Sequence, residues 1–531
     1  MLANHFSPLA PVVVLLLSAF VLSIITPRLP EAWRSHWPVR YALAPGLIVL
    51  AGLFVLGTKL ANPVMLSGWH FGTAESGAGL DIGIYTPSLP FLLLTIILLL
   101  VVTLISLPLD PAARGRGWTF TLGAGAMLLF VSTNRLTLAY TVLLFDILLA
   151  YHWFVHKRPN LAIARLFLGI LTTGALMLNT NGGGATLLGL ALWLRLGLYP
   201  FFEIRASEKQ VQNYNFLAYW SLSLAVGMYF VTSILTTPLP EILRWLVVIT
   251  MLLNGLLSWL FQANTAERPT LLTRLVFTQA LLPFLLLVPG AEINAAFTLG
   301  LTLSMATLWS TPRLGPMHIN NLIKFWPYLP ALTATLTLIG LPLWLNWPMW
   351  TIFATFYPAS FSTNVPKTLL LVLALILAMS GLTRYWLKLW FGESQSGSQL
   401  HLPATIAALV AAVPFLVPGL APLLLSGVTQ AALGSNSDKI SLTLIIITII
   451  TAGAIGLGYF RTHIITRFSM SPAVLIKIFD LQWMLVGIDK LLNQISKFVL
   501  RVNVIFEGQH YIGWALFTAL VGSLIVILMR S

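Results

Sequence analysis

An arginine stands in the middle of an otherwise apolar stretch of this chain. Arg195 lies in GLALWLRLGLYPFF, which runs from Gly189 to Phe202 and has Pro200 five residues after the arginine. A charged side chain at membrane depth costs about 2.5 kcal/mol or more even on lenient insertion scales. A guanidinium does not release its proton in proteins, so Arg195 can supply a fixed positive charge but cannot pass on a proton. We therefore treat Arg195 as a candidate functional residue.

A carboxylate lies in a second apolar segment. Asp146 belongs to NRLTLAYTVLLFDILLAYH, from Asn134 to His152. Proton translocation through a helical bundle needs titratable groups whose protonation responds to neighbouring charges, and a buried carboxylate is such a group. His152 lies six residues after Asp146, off its helical face and near the helix end, which favours an interfacial histidine over a proton relay. Arg165 opens the next apolar run and is expected to extend to the cytoplasmic edge.

Motifs for other chemistry are missing from the sequence. The chain has no cysteine, which excludes disulfides, thiolate metal sites and a cysteine nucleophile. The glycine run Gly182–Gly184 follows no predicted strand and precedes no Lys-Ser/Thr pair, so it does not form a phosphate-binding loop. His463 and His510 have no clustered ligand residues beside them. We expect neither a metal site nor a cofactor.

The composition requires elements that cross a membrane. Hydrophobic residues make up 58% of the 531 residues and charged residues only 8%, whereas a soluble domain has about 25% charged residues. Apolar stretches of about 20 residues, the length of a spanning helix, recur along the whole chain. The sequence predicts an all-α polytopic membrane protein with about 16 transmembrane helices.

The charged residues are mostly basic. The net charge is +14, from 29 basic and 15 acidic residues. The basic residues lie in short loops and form no dense patch, which indicates the positive-inside rule rather than nucleic-acid binding. Under the span count these loops share one side, which we assign to the cytoplasm, so the N-terminus faces outward. We expect a multi-pass protein of the cell inner (cytoplasmic) membrane, surrounded by lipid.

Two of the predicted helices are interrupted by proline. Pro200 breaks the seventh span, and Pro342 and Pro348 break the twelfth within GLPLWLNWPMW. Broken helices at corresponding positions of two halves are typical of transporters built from inverted repeats. The predicted organisation is residues 1–117, N-terminal membrane helices with an outer hairpin; 118–236 and 237–392, two inverted five-helix repeats; 393–460, further membrane helices; 461–509, an amphipathic lateral helix; and 510–531, a final membrane helix.

Two segments differ from simple spans. Asn62–Pro90 is polar and glycine-rich, and the alternation in LDIGIY predicts a small extracytoplasmic hairpin. Ser471–Asn503 is amphipathic, which is typical of a helix that lies along a membrane surface or along a row of packed helices. Its polar face carries Asp489, Lys490, Asn493, Ser496, Lys497 and Arg501, and its apolar face Leu485, Ile488, Leu492, Ile495 and Leu500.

Several of these segments, in order, resemble one family. The chain resembles the antiporter-like subunits of respiratory complex I (NADH:quinone oxidoreductase), which are related to Mrp antiporters and energy-converting hydrogenases. The segment around Asp146 resembles the family's fifth span, where a glutamate holds that position, and LALWLRLGLYPFFEI resembles the seventh, where Arg195 replaces an intramembrane lysine. Three further segments resemble the family's sixth, twelfth and thirteenth spans. In that order they are AIARLFLGILTTGALML (Ala162–Leu178), PYLPALTATLTLIGLPLW (Pro327–Trp344) and SGLTRYWLKLWFG (Ser380–Gly392). The C-terminal extension resembles that of the largest such subunit.

The resemblance implies a proton path, and this chain departs from it. Trp350 stands where the family has the relay residue of the twelfth span, and Ala225 stands near the lysine of the eighth. The eleventh span, Ile293–Ser310, has no histidine or lysine. Either Arg268 or Arg274 could correspond to the arginine of the tenth span. The resemblance also pairs Asp146 with Arg195, either as a modulated carboxylate or as an ion pair that joins two helices.

Three functional hypotheses follow. The first is an antiporter-like membrane-arm subunit of a complex I-like, redox-driven assembly, with an impaired proton path and a largely structural role. In that case the chain has no catalysis of its own but belongs to a quinone oxidoreductase-type translocase. The second is an active proton or Na⁺/H⁺ translocating subunit that uses Asp146. The third is a stand-alone secondary transporter, against which the predicted lateral helix argues, since a solitary transporter has no evident use for one.

Overall fold

The fold is described from a computed structural model of the chain. The residues that the structure describes are 8–35, 39, 42–57, 64–70, 79–84, 88–106, 114–155, 159–178, 185–197, 215–233, 239–261, 268–286, 291–310, 328–342, 344–363, 365–391, 437–467 and 472–479, with 487, 490, 491, 493, 494 and 497. Pro200, the span predicted over Ala404–Leu425 and the final span over Ile512–Met529 lie outside these residues.

The described chain is built almost entirely of helices. Its N-terminal part contains α1 (Ala10–Phe20), extended by a π-helical turn (Val21–Ile25) and a 3-10 turn (Thr26–Arg28), then α2 (Glu31–Ser35), α3 (Leu43–Gly57), β1 (Val64–His70), β2 (Gly79–Ile82), α4 (Leu89–Ser106) and α5 (Arg114–Phe130). Strands β1 and β2 pair antiparallel, with Val64 opposite Ile82. This pairing confirms the predicted hairpin, whose side of the membrane stays a prediction.

The central part carries the segments with the candidate residues. Its helices are α6 (Arg135–Val155), α7 (Pro159–Leu178), α8 (Ala185–Gly197), α9 (Asn215–Ser233), α10 (Glu241–Leu260), α11 (Arg268–Ala280), α12 (Leu282–Leu286) and α13 (Ala291–Ser310). The C-terminal part contains α14 (Leu329–Ile339), α15 (Trp347–Thr363), α16 (Val365–Phe391), α17 (Ser437–Tyr459), α18 (Arg461–Arg467) and α19 (Pro472–Phe479). One continuous apolar core runs from Val12 in α1 to Ala454 in α17.

The predicted spans correspond to helices wherever the structure describes them. Five helical segments of the described chain are at least 18 residues long and apolar enough to cross a membrane: α1 together with its π-helical and 3-10 turns, and segments within α6, α10, α16 and α17. Nine further apolar helices have 10–17 residues. Each of the five long segments and nine shorter helices coincides with one predicted span. The two remaining predicted spans lie outside the described residues. The division into two inverted repeats and the orientation stay predictions.

The twelfth span is broken at a glycine rather than at a proline. Gly340 has φ 79°, and its N–H donates to the carbonyls of Leu336 and Thr337, so α14 ends there. The chain resumes in α15, where Pro348 occupies the first turn, a position that needs no backbone N–H. Because α15 continues to Thr363, the second half of the broken helix is much longer than the sequence predicts.

The chain divides into two compact units, Met1–Ile476 and Lys477–Ser531. In the second unit the described residues are few. Gly487, Lys490, Leu491, Asn493, Gln494 and Lys497 are helical and exposed. The exposed positions include three of the polar residues that the sequence assigns to the solvated face of the lateral helix. How that helix lies relative to a membrane or to other subunits stays a prediction.

Candidate functional site

Helix α6 places Asp146 on its buried face. The helix begins after Asn134, whose Oδ1 accepts a hydrogen bond from the backbone N–H of Thr137 at 2.7 Å, as an N-cap residue does. Its core-facing residues include Phe145, Leu149 and Trp153, while Tyr140, Leu144, Ile147 and Tyr151 are exposed. Asp146 lies on the same core-facing side of the helix and has an exposed fraction of 0%. A carboxylate there needs charged or hydrogen-bonding partners within the bundle.

Arg195 provides the opposite charge from the last turn of α8. Its Nη1 donates to Asp146 Oδ1 at 3.2 Å, and its Nη2 donates to Asp146 Oδ2, so the contact has two parallel bonds. Both side chains are fully buried. A cation in the last turn also fits the negative end of the helix dipole. The structure thus brings the two sequence-predicted residues together in a bidentate ion pair, the geometry for which a guanidinium is suited.

Helix α7 supplies the remaining contacts around this ion pair. Thr172 Oγ1 lies 3.3 Å from Arg195 Nη2 and accepts a further hydrogen bond from it. A Cβ on Gly169 would lie 2.9 Å from Asp146 Cβ and 3.2 Å from its Oδ2, so only glycine permits this approach of α7 to α6. The guanidinium also lies 5.9 Å from the ring centre of Phe230 in α9. Arg195 Nε has no hydrogen-bond partner among the described residues.

Arg165 contacts aromatic side chains of α9, and its position at the cytoplasmic edge stays a prediction. Its Nε donates to the hydroxyl of Tyr219 at 3.0 Å, and its guanidinium lies 5.4 Å and 5.8 Å from the ring centres of Tyr219 and Trp220. Trp153 Nε1 donates to the same hydroxyl. These rings in α9 offer a cation–π surface and a hydrogen-bond acceptor to Arg165, which is half-buried in the second turn of α7.

His152 is buried as well, with an exposed fraction of 8%. Its ring stacks on Trp118, with centroids 5.6 Å apart and an interplanar angle of 12°, and lies 5.9 Å from the ring of Tyr219. The residue lies in the last turn of α6, near the helix end as the sequence predicts, and its interfacial position stays a prediction. Sequence reasoning missed Thr172, Gly169 and Tyr219, since a threonine, a glycine and a tyrosine in apolar helices carry no local signal of a charged neighbour.

The second half of the chain has a buried arginine that donates a hydrogen bond to an asparagine. Arg274 is 1% exposed in α11, and its Nη1 donates to Asn254 Oδ1 at 2.8 Å. Trp350 is also 1% exposed and lies in α15. Among the described residues 239–391, the buried side chains include no lysine, histidine, aspartate or glutamate. The part of the second half that the structure describes thus lacks buried groups that could store a proton near neutral pH.

No metal-binding cluster of histidine and carboxylate residues occurs within the described part of the chain. The main interaction that the site offers is electrostatic. Asp146 and Arg195 neutralise each other inside an apolar bundle and connect α6 to α8, with α7 bound to both through Thr172 and Gly169.

Comparison with known proteins relates the fold to large membrane complexes. The chain matches no protein-family profile and no curated protein. It is similar to a chain of the Mrp complex from Dietzia sp. DQ12-45-1b, with a TM-score of 0.67 and 14% identity over 99% of this chain and 63% of that one. The chain thus spans less than two thirds of that relative's length.

Two further solved structures share the fold. One is a chain of the membrane-bound sulfane sulfur reductase, an archaeal respiratory membrane complex, with a TM-score of 0.60 and 14% identity over 98% of this chain and all of that one. The other belongs to respiratory complex I from Thermus thermophilus, with a TM-score of 0.56 and 16% identity over 84% of this chain and all of that one. This protein is a multi-pass membrane protein with the all-helical fold of complex I and Mrp membrane subunits.

Proposed function

We propose that this protein is an antiporter-like membrane subunit of a complex I-like or Mrp-type assembly, with an interrupted proton path and a largely structural role. The observation that carries the proposal is the fully buried ion pair of Asp146 and Arg195. A lysine at position 195 could exchange its proton when buried, whereas arginine keeps its charge. An arginine therefore preserves the electrostatic contact between helices and removes a proton-transfer step.

The second half of the described chain supports the same function. A proton path needs successive titratable groups, usually bridged by water. Trp350 occupies the position that the family resemblance assigns to a relay residue, and an indole has no titratable proton in the physiological range. Arg274 and its neighbour Asn254 likewise form a contact in which neither group titrates near neutral pH.

The proposed partners follow from the three structural neighbours described above, each of which is a chain of a multi-subunit membrane complex. Affinity purification of the full chain from its native membrane in mild detergent tests this directly. We expect other polytopic subunits in stoichiometric amounts, together with electron-transfer subunits in a redox-driven assembly or with antiporter subunits in an Mrp-type assembly. Recovery of the chain as a homo-oligomer alone would contradict the proposal.

A test of whether the ion pair takes part in ion transport requires a variant that removes both charges at once. The double substitution Asp146→Leu with Arg195→Met deletes the ion pair without leaving one charge buried alone. We expect the intact assembly that contains this variant to translocate as many ions per turnover as the wild type. A loss of translocation in a fully assembled complex would instead assign an active role to Asp146. Cation/proton exchange by the purified wild-type chain alone in liposomes would favour a stand-alone transporter.

A further inference from the structure

A cavity of about 240 Å³ lies between α14, α16 and α17. Helix α14 lines it with Thr335 and Ile339, and α17 lines it with Thr451 and Ile455. On α16 the lining extends from Met379 to Leu387, which is about 12 Å along the axis at a rise of about 1.5 Å per residue. The cavity is therefore elongated along the helices, and it begins about one turn before the end of α16.

The lining of this cavity suits hydrocarbon better than water. Seven of the ten lining residues are apolar and three are threonines. The Thr335 hydroxyl is already engaged, since it accepts from Trp386 Nε1 at 2.9 Å and donates to the carbonyl of Ala331 at 2.8 Å. A volume of this size would take several waters, each of which needs two to four polar partners. The two other threonine hydroxyls are too few to supply them, whereas an apolar chain loses contact with water on entering.

The hydrogen bond between Trp386 and Thr335 keeps the cavity open. Trp386 is the largest side chain of the lining, and this bond fixes its indole against α14. The ring is thus held at the wall of the cavity instead of turning into it. On α17 the lining residue Ala454 is small and buried, so it leaves the space beside the indole unfilled. A cavity that is formed in advance lowers the cost of ordering a ligand.

The cavity is partly open toward the apolar exterior of the bundle. Ile445, Ile449 and Ile455 of α17 are each more than half exposed, on a helix apolar enough to cross a membrane. Ile455 belongs both to this exposed surface and to the lining, so the opening lies beside it. Lys388 is exposed and directly follows the lining residue Leu387. A positive charge therefore lies at the end of the cavity that is closer to the C-terminus of α16.

We propose that this cavity binds one acyl chain of an anionic phospholipid, whose phosphate lies beside Lys388. An elongated apolar cavity with a cation at one end matches a molecule that joins a charged group to a hydrocarbon chain. Basic side chains near the membrane surface attract anionic lipids. The proposal stands apart from the function proposed above, because it requires only that the protein crosses a membrane.

Photocrosslinking with a phospholipid tests the site. The protein, with any subunits that copurify, is reconstituted into phosphatidylcholine vesicles that contain phosphatidylglycerol with a diazirine near the end of one acyl chain. We expect adducts at Met379, which lines the end of the cavity farther from Lys388 and is only 3% exposed, so that lipid at the protein surface does not reach it. Met251 of α10, which is likewise buried but is not part of the lining, should carry none.

Two substitutions on α17 form a matched pair. Ala454→Leu places a larger side chain in the cavity and should abolish the adducts at Met379. Ala452→Leu makes the same change at an exposed position outside the lining and should leave the adducts unchanged. Thr451→Leu alters a half-buried lining residue, and it should reduce the adducts even where Ala454→Leu fails to fold.

Lys388→Gln tests the position of the phosphate and should lower labelling at Met379 about fivefold. Unchanged labelling in this variant would overturn the assignment of the phosphate to Lys388. A wild-type protein without adducts at Met379 would overturn the proposal and indicate that protein closes the cavity to lipid. Adducts that survive both Ala454→Leu and Thr451→Leu would also overturn it.

Discussion

Arg195 and Asp146 form a bidentate contact across 49 residues of sequence, with both side chains withdrawn completely from the surface. The contact joins the last turn of α8 to the middle of α6. Because neither charge can reach solvent, each is stabilised by the other and by Thr172 rather than by water. The stability of the helical bundle should therefore depend on both residues together more than on either one.

A double-mutant cycle on this pair gives the first prediction. Asp146→Leu alone leaves an uncompensated buried guanidinium and Arg195→Met alone an uncompensated buried carboxylate, so each single substitution should destabilise the protein by about 3–5 kcal/mol. Asp146→Leu combined with Arg195→Met should cost far less, because an apolar pair replaces a buried ion pair at little net expense. Equilibrium unfolding in detergent measures all three values. If the single substitutions proved as mild as the double one, the two charges would not depend on each other.

The approach of α7 to α6 gives the second prediction. Gly169→Ala should destabilise the protein by about 1–3 kcal/mol, because the added methyl group must push α7 away from Asp146 or strain the core. Gly174→Ala on the same helix is the matched control, since nothing lies within 4 Å of its added Cβ. That control should be neutral or should stabilise the helix by up to about 1 kcal/mol. Thermal unfolding of the two variants side by side is the measurement, and equal shifts in Tm would contradict the predicted contact.

The left-handed residue at the end of α14 gives the third prediction. Gly340→Ala should cost about 1–2 kcal/mol from the backbone conformation alone, and more because the methyl group overlaps the ring of Trp350. In a Trp350→Ala background, which has its own cavity cost, Gly340→Ala should add only the backbone cost because the ring is no longer there to overlap. The control Gly456→Ala, in open space on α17, should cause no loss. A Gly340→Ala protein as stable as the wild type would show that the break does not require a left-handed residue.

The C-terminus of α10 gives the fourth prediction. Arg461 Nε donates to the carbonyl of Trp259 at 3.0 Å and its Nη2 to that of Leu260 at 2.5 Å, while Arg384 Nη1 donates to Trp259 at 2.7 Å. These arginines satisfy carbonyls that a helix end leaves without partners. Arg461→Met should therefore destabilise the protein by about 1.5–3 kcal/mol.

Arg467→Met is the control for this substitution, because Arg467 lies exposed on the same short helix α18. Denaturant unfolding should show a clear loss for Arg461→Met and almost none for Arg467→Met. Similar losses for both would indicate that the basic residues at this end act only through their net charge, as the positive-inside rule describes, and not as helix caps.

The sequence alone predicts the helical class, the position of most helices and the two charges in apolar segments. Apolar runs of spanning length are a local property, so they predict helices without knowledge of their neighbours. Asp146 and Arg195 were conspicuous because a charge in an apolar run is costly wherever the helix lies. The break of the twelfth span was also visible, although Gly340, rather than a proline, ends α14.

Which residues meet depends on how the helices pack against one another. Thr172 and Gly169 surround the ion pair, Tyr219 accepts a hydrogen bond from Arg165, and Asn346 lies buried against α13. Each of these contacts joins residues from different helices, and a polar or small residue in an apolar helix has the same local pattern whether it faces lipid, core or a charge. The direction of a helix face is set by packing against its neighbours, which the sequence of one helix does not specify.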